Sequence, residues 1–443
     1  MKEAAAAKHD FSSALTEWDA RSLPSGPPWL QKLRRSSAAR FKALGFPGPR
    51  EEEWRQTSVA AAVAVPFERA AAPGGGGPKA LAGLAQSGSD TLRLVFVDGF
   101  HSAALSTKNT VLGIEASSLA ATLLSGPERV EADFGKTAPS RDHAFAALNT
   151  AWFADGAFVA IPDGTVMDEP IQIVHLSGCA ANPSASFPRA FIRVGRGCRV
   201  TLVETYTSLS EGAALTNAVS EIVVGEDSAL THIRIQDESR AAFHVGQVQY
   251  RQGRNSRLQA LQVSLGAALA RYDIGATLAE PGAESTLDGL YLAGTGQHVD
   301  HHTTLDHAAA HCASHEMYKG VLTDNGRAVF NGRIIVRPGA QKTDAKQSNK
   351  NLLLSLDALV HTRPQLEIHA DDVKCTHGAT IGRLDPDALF YLRSRGIGAE
   401  AARNVLIHAF TSAVLGSRVP AHLRGLLEAE LTRRLEPRAE RAA

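Results

Sequence analysis

Cys375 and His377 stand one residue apart in the run DDVKCTHGAT, Asp371 to Thr380. Thiolate sulfur and imidazole nitrogen are side-chain donors that soft and borderline metals take readily. On an extended segment alternate side chains share a face, so a Cys-x-His pair on a strand turns both donors toward one external atom. Two donors do not complete a structural zinc site, which takes four, and the chain offers no second pair of that kind. The same residues also fit a nucleophile beside its base, or a strand end whose histidine satisfies a backbone group. A second cluster, QHVDHHTTLDHAAAHCASHEMY, gathers His298, His301, His302, His307, His311 and His315 around Cys312. Alternation puts His298 and His302 on one face and His301 on the other, so the six cannot converge on one ion. Histidines satisfied inside stacked coils are the simpler expectation, with His311 and Cys312 the pair to inspect for iron.

Composition limits what such sites could serve. A chain of 443 residues exceeds one ordinary core, so two or three structural units are expected. Hydrophobic residues at 44% and charged residues at 21% fit a soluble globular protein. Lys plus Arg equals Asp plus Glu, 46 against 46, which leaves no overall field to recruit nucleic acid or an anionic membrane. Cys179, Cys198, Cys312 and Cys375 are too few and too scattered for a disulfide framework and suit a reducing compartment. The opening MKEAAAAKHDFSSAL lacks the apolar core of a secretory signal, and no stretch reaches the roughly 20 apolar residues of a membrane span. A cytoplasmic location is therefore expected.

The elements that must position these residues change along the chain. The first 70 or so residues are expected to be helical, in SSALTEWDARSL and in PPWLQKLRRSSAARFKALGFPG, where Trp29, Leu30, Leu33, Phe41 and Leu44 alternate with basic residues. Ala72 to Gly83 reads as a flexible break. Its Gly74 to Gly77 run lacks the following Gly-Lys-Ser/Thr and the preceding strand of a phosphate loop. From LRLVFVDGF, Leu92 to Phe100, Val, Ile, Thr and Gly dominate and strands are expected.

Within this region the pattern Gly-x-x-(Ser or Cys)-x-(Val or Leu) recurs from Gly195, Gly225, Gly253 and Gly282, at intervals of 225 − 195 = 30, 253 − 225 = 28 and 282 − 253 = 29. Such regularity marks stacked supersecondary units. Each follows a turn glycine with alternating residues, so Leu258, Leu261 and Val263, or Leu287, Leu290 and Leu292, are expected to face inward on a continuous apolar interior. The expected fold is mainly β: a parallel β-helix (solenoid) core between N-terminal and C-terminal helical domains, with a β-sandwich of evenly spaced strands as its rival. After the Cys-x-His motif, Asp385 reads as an N-cap, Pro386 as the first helical residue and Gly396 as the stop. A second helix over 399–415 carries an apolar stripe of Val405, Leu406, Ala409, Phe410, Ala413 and Val414, and PAHLRGLLEAELTRRLEP gives a third. The division expected is 1–90, 91–382 and 383–443.

The run VKCTHGATIGRLDPDALFYLRSRGI, Val373 to Ile397, resembles the signature of the SufB/SufD family of iron-sulfur cluster assembly proteins. PREEEWRQT at Pro49 to Thr57, AFAALNTAWFADGAFVAIPDG at Ala144 to Gly164 and VDHHTTLDHAAAHCASHEMYKGVL at Val299 to Leu322 agree in the right order. The likeness is to the SufD branch. The SufB counterpart resembles a Glu-containing HEAT-type sequence, whereas this chain reads Cys375-Thr-His377-Gly-Ala-Thr380 and has few cysteines. The resemblance implies a noncatalytic scaffold subunit of a SufB-SufC-SufD complex. It places His377, and with it Cys375, as metal-binding residues for a transient iron-sulfur cluster at the SufB interface. It docks the ATPase SufC on the C-terminal helices, so that ATP enters only through SufC. The sequence does not reveal whether a flavin binds the assembled complex. The core's edge strand, expected in RPQLEIHADDVKC from Arg363 to Cys375, would pair with the SufB paralogue, or with a second copy in a homodimer. A carbohydrate-active enzyme is the alternative on fold analogy. It needs paired carboxylates on one face, yet adjacent Asp371 and Asp372 point oppositely and Asp300 and Asp306 have no evident partner.

Overall fold

The computed structural model describes residues 23–70, 92–107, 111–138, 143–178, 182–416 and 419–435. The expected helix over residues 12–22, the glycine run at Gly74–Gly77 and Cys179 lie outside them.

Strands of about ten residues alternate between two sheets, so neighbours within a sheet are two strands apart in sequence. We call front the sheet that runs from Lys374–Gly382 through Asp344–Leu353, Ala313–Leu322 and Glu284–Ala293 back to Arg93–Val97. The back sheet runs from Leu359–Ile368 through Arg327–Val336, His298–His307 and Leu269–Leu278 to Glu115–Ser118. From Ile171 onward the ladders are parallel, as in Ala313↔Asp344↔Lys374. This is the parallel β-helix that the repeat suggests, and it excludes the sandwich, whose sheets are antiparallel. Among the described residues, antiparallel pairs occur only at the start, where Arg93–Val97 meets Phe100–His101 and Glu115–Ser118 meets Gly156–Ile161.

The repeated Ser or Cys explains itself at the turns. Ser228 Oγ accepts from the Cys198 amide at 2.9 Å and donates to the Gly195 carbonyl at 2.6 Å, locking one coil to the next. Ser256 Oγ instead closes its own turn, donating to Gly253 O at 2.8 Å. The fourth match is displaced: Glu284 pairs with Arg257, so Ala283 follows Ser256 in this column, and Ser285 lies beside Leu258. The expected inward sets also need correction. Leu258 and Leu287 face the interior, but Leu261, Val263, Leu290 and Leu292 face outward, where they pack with Ile407, Val414, Leu415, Leu427 and Leu431 of the C-terminal helices. An odd separation on a strand reverses the face, and here both faces of the sheet are buried, so hydrophobicity alone did not reveal the parity.

Nor is the interior continuously apolar. Glu204 and Arg234 are buried inside it and pair at 2.9 Å, with the Arg234 guanidinium 4.9 Å from the Tyr272 ring centroid. His232 shares a 2.8 Å hydrogen bond with Tyr250. A buried charge survives only when paired in this way.

Helix Pro28–Leu44 lies against helix Ala144–Trp152, with the Phe41 and Trp152 rings edge-on at 6.4 Å. Buried Arg34 donates to the Ala151 and Phe153 carbonyls at 3.1 and 2.7 Å, satisfying acceptors at the second helix's C-terminal end. After the solenoid, Asp385 Oδ1 caps helix Pro386–Ser394 by accepting from the Asp387 amide at 2.9 Å, and Gly396 takes φ 87° beyond its end. In helix Ala399–Leu415 the face buried on the solenoid is Ile407, Thr411, Val414 and Leu415, which keeps Val414 of the expected stripe, with Phe410 packed beside it, while Val405 is 49% exposed. No helix among the described residues is long and apolar enough to cross a membrane.

Candidate functional site

The last strand, Lys374–Gly382, ends the front sheet and pairs only with Asp344–Leu353. Cys375 lies opposite Ala345 and His377 opposite Gln347, and both positions belong to the inward-facing set. Cys375 is half-buried against the apolar interior, whereas His377 is exposed because no coil follows to cover it. Burial, reinforced by the Asp344 carboxylate, pushes the Cys375 thiol above its ordinary range. The isolated chain therefore holds this sulfur as a protonated thiol, a poor metal donor until another charge approaches. The expected single edge strand from Arg363 to Cys375 is instead a corner. Its first half belongs to Leu359–Ile368, the edge of the back sheet, and its second half opens the edge strand of the front sheet. The solenoid thus ends in two free edges, with Leu359, Ile368 and Ile381 exposed by 42%, 41% and 50%.

Behind His377 stand residues that the motif does not announce. Gln347 and Glu316 occupy its register position in the two preceding coils, and Gln347 Nε2 donates to Glu316 Oε2 at 2.7 Å. Burial raises the Glu316 carboxyl to about 7. A register count of about 30 residues back from His377 reaches Gln347 and then Glu316, which is the signal by which sequence alone could have found them.

The histidine cluster divides as alternation requires. His298 and His302 face outward: His298 meets Thr57 Oγ1 at 3.0 Å, while His302 lies 2.8 Å from Glu53 and 3.0 Å from Asp300. Burial opposes charge on His302, but the Asp300 carboxylate and the hydrogen bonds that Asp300 and Glu53 accept from the ring more than offset it, raising this imidazole to about 9. His301 faces inward onto Ser264 at 2.9 Å, and burial lowers it to about 3. His307 bonds Ser314 at 2.8 Å and is likewise lowered by burial, to about 4. His311 sits in a turn at φ 59° and is exposed, while its neighbour Cys312 is buried with its thiol on the Glu280 carbonyl, so the two do not converge. His315 faces an outer groove beside Lys346 and Thr376. Among the described residues no three His, Cys, Asp or Glu side chains gather into a metal site. Asp300 and Asp306 are both engaged, with Arg271 at 2.7 Å and Arg337 at 2.8 Å. Trp54 anchors the charged turn Glu52–Trp54, stacked on Phe145 at 5.5 Å and covered by Arg271 at 3.8 Å.

A parallel solenoid whose last coil is left open, with Cys375 and His377 on it, defines a recognisable class. Residues 176–410 match the family model described as SUF system FeS cluster assembly, SufBD core domain, and residues 24–173 match the SufBD protein N-terminal region. The chain belongs to the SufBD family of iron-sulfur cluster assembly proteins. It is 33% identical over 412 residues to an iron-sulfur cluster assembly SufBD family protein of Synechocystis, covering 90% of this chain and 89% of that one. With the iron-sulfur cluster assembly protein SufD of Escherichia coli it shares 30% over 410 residues, 90% of this chain and 92% of the relative. With SufD of Bacillus subtilis it shares 30% over 283 residues, 62% and 63% of the two chains.

Proposed function

We propose that this chain is a noncatalytic scaffold subunit of a SufB-SufC-SufD complex, contributing His377 and Cys375 to a site where a nascent iron-sulfur cluster forms against the SufB paralogue. The observation that carries the reading is the open last coil: two soft donors in inward register at a sheet edge with no covering coil. Few ligands from each partner suit a cluster that must be released. The free edges and exposed Leu359, Ile368 and Ile381 offer the paralogue a ladder to extend; a homodimer of the isolated chain would use the same edges. Exposed Phe390, Tyr391 and Val405 on the C-terminal helices form an apolar surface suited to the ATPase SufC, through which alone ATP would act. The functional division 1–90, 91–382 and 383–443 follows these roles.

The test is co-expression with SufB and SufC, anaerobic purification, and measurement of iron and acid-labile sulfide for wild type and His377→Ala. Loss of cluster from an intact variant complex is the expected result. Equal iron and sulfide in both would overturn the assembly role of the motif.

A further inference from the structure

We infer that Gln347 is a positioning residue for His377, accepting a hydrogen bond from one imidazole N–H so that the other ring nitrogen presents its lone pair at the open end of the solenoid. Three observations fix the amide. Gln347 lies directly opposite His377 on the same face of a parallel ladder, where neighbouring strands stand about 4.8 Å apart. Its Nε2 is committed to Glu316 in the coil behind, at 2.7 Å. Its Oε1, at the diverging end of the amide, is buried and has no hydrogen-bond partner among the described residues, although Gln347 is only 4% exposed.

The back sheet makes room for this arrangement. A Cβ at Gly332 would come within 2.2 Å of Gln347 Nε2 and 2.7 Å of its Cδ, so the absence of a side chain there admits the amide in its observed place. A buried acceptor left without a donor costs free energy, which a ring N–H donated by the adjacent His377 would remove. Metal-ligating histidines commonly donate their second ring N–H to such an acceptor, which fixes the tautomer and orients the ring. Glu316 holds Gln347, and Gln347 holds His377. The consequence for cluster assembly rests on the role proposed above for His377; the hydrogen bond itself does not.

The test is the tautomer of His377 in the full chain at pH 8.5, read from the ¹⁵N shifts of labelled imidazoles, with the His377 signal assigned by its disappearance in His377→Ala. Wild type should favour one tautomer over the ratio of an unstructured histidine peptide by roughly fivefold, the population effect of one neutral hydrogen bond. Gln347→Leu should return the ratio to the peptide value. The swapped pair Glu316→Gln/Gln347→Glu, which keeps a donor-to-acceptor contact behind and an acceptor in front, should restore it. Gly332→Ala, whose Cβ displaces the amide, should weaken the preference with Gln347 and His377 both kept. A wild-type ratio equal to the peptide's, or one unchanged in Gln347→Leu, overturns the inference. Because this readout needs no iron, it separates from the assembly reading: a fixed tautomer with cluster loading indifferent to His377 sinks only the latter.

Discussion

The two ends of the solenoid are built to opposite rules. At the first end, Arg93–Val97 is covered by antiparallel Phe100–His101, Glu115–Ser118 closes the back sheet antiparallel to Gly156–Ile161, and Val95 and Phe96 are fully buried. Helix Leu119–Ser125 follows at once, with Ser118 Oγ accepting from the Ala121 amide at 3.1 Å as its cap. At the last end, Lys374–Gly382 has a partner on one side only, and apart from Cys375 each of its residues is exposed. A covered edge is a settled part of the fold, while an uncovered one is a pairing surface. The Glu204–Arg234 pair thus lies in the coils behind, whereas Cys375 and His377 stand on the uncovered last strand.

The largest effects should come from breaking the covered region. Arg234→Met leaves the buried Glu204 carboxylate without its guanidinium partner, and should lower the unfolding free energy by ~3–5 kcal/mol, read from denaturant midpoints. The double variant Glu204→Gln/Arg234→Met should recover most of that loss, because the stranded charge is gone. Single-variant stability within about 0.5 kcal/mol of wild type would show that the interior pair contributes nothing net.

A smaller effect should appear where the N-terminal turn clips onto the back sheet. His302 is raised to about 9 in the fold, above the ordinary imidazole value of about 6.5. Its contribution is therefore fully present below about pH 6.5 and is lost as pH rises through about 9, amounting to roughly 3 kcal/mol at most. Denaturation of wild type and His302→Gln from pH 6 to 10 isolates it. The difference between them should shrink with rising pH, and amide protection at residues 51–57, taken relative to the base-catalysed intrinsic exchange rate, should fall in wild type over the same interval. A difference that is constant with pH would remove His302 as the titrating clip.

Much of this contrast was legible in the sequence, and what was not has physical causes. The interval near 30 residues gave the coil, because turn glycines and their Ser or Cys partners recur wherever one coil is locked to the next. Asp385, Pro386 and Gly396 marked helix ends because capping is local chemistry. The parity of Leu261 and Leu290 was hidden, since a strand covered by helices on one side and packed on the other is apolar on both. Nothing in the sequence singles out Glu204 and Arg234, because pairing across coils is not written in either residue. At the motif itself, type and spacing singled out Cys375 and His377, whereas Gln347 and Glu316 come behind His377 only through register with strands some 30 and 61 residues earlier.

The smallest change in the isolated chain should have the most selective effect on assembly. Ile381 is 50% exposed at the open end, on the inward-facing set that also carries Cys375 and His377. Ile381→Lys removes apolar surface from the proposed partner contact and sets a hydrated ammonium in its place. In the chain alone the lysine reaches solvent freely, so stability should shift by less than ~0.5 kcal/mol. In the complex that charge must be desolvated against the SufB paralogue, and association should weaken at least about tenfold, equivalent to ~1.4 kcal/mol. Sedimentation of the purified subunits, titrated together, measures this directly. Phe96→Lys at the covered end reverses the pattern, because Phe96 is wholly buried and its replacement should cost folding itself, with no association left to measure. Undiminished association of Ile381→Lys would mean that the open end is not where the partner sits, and the asymmetry between the two ends would lose its functional meaning.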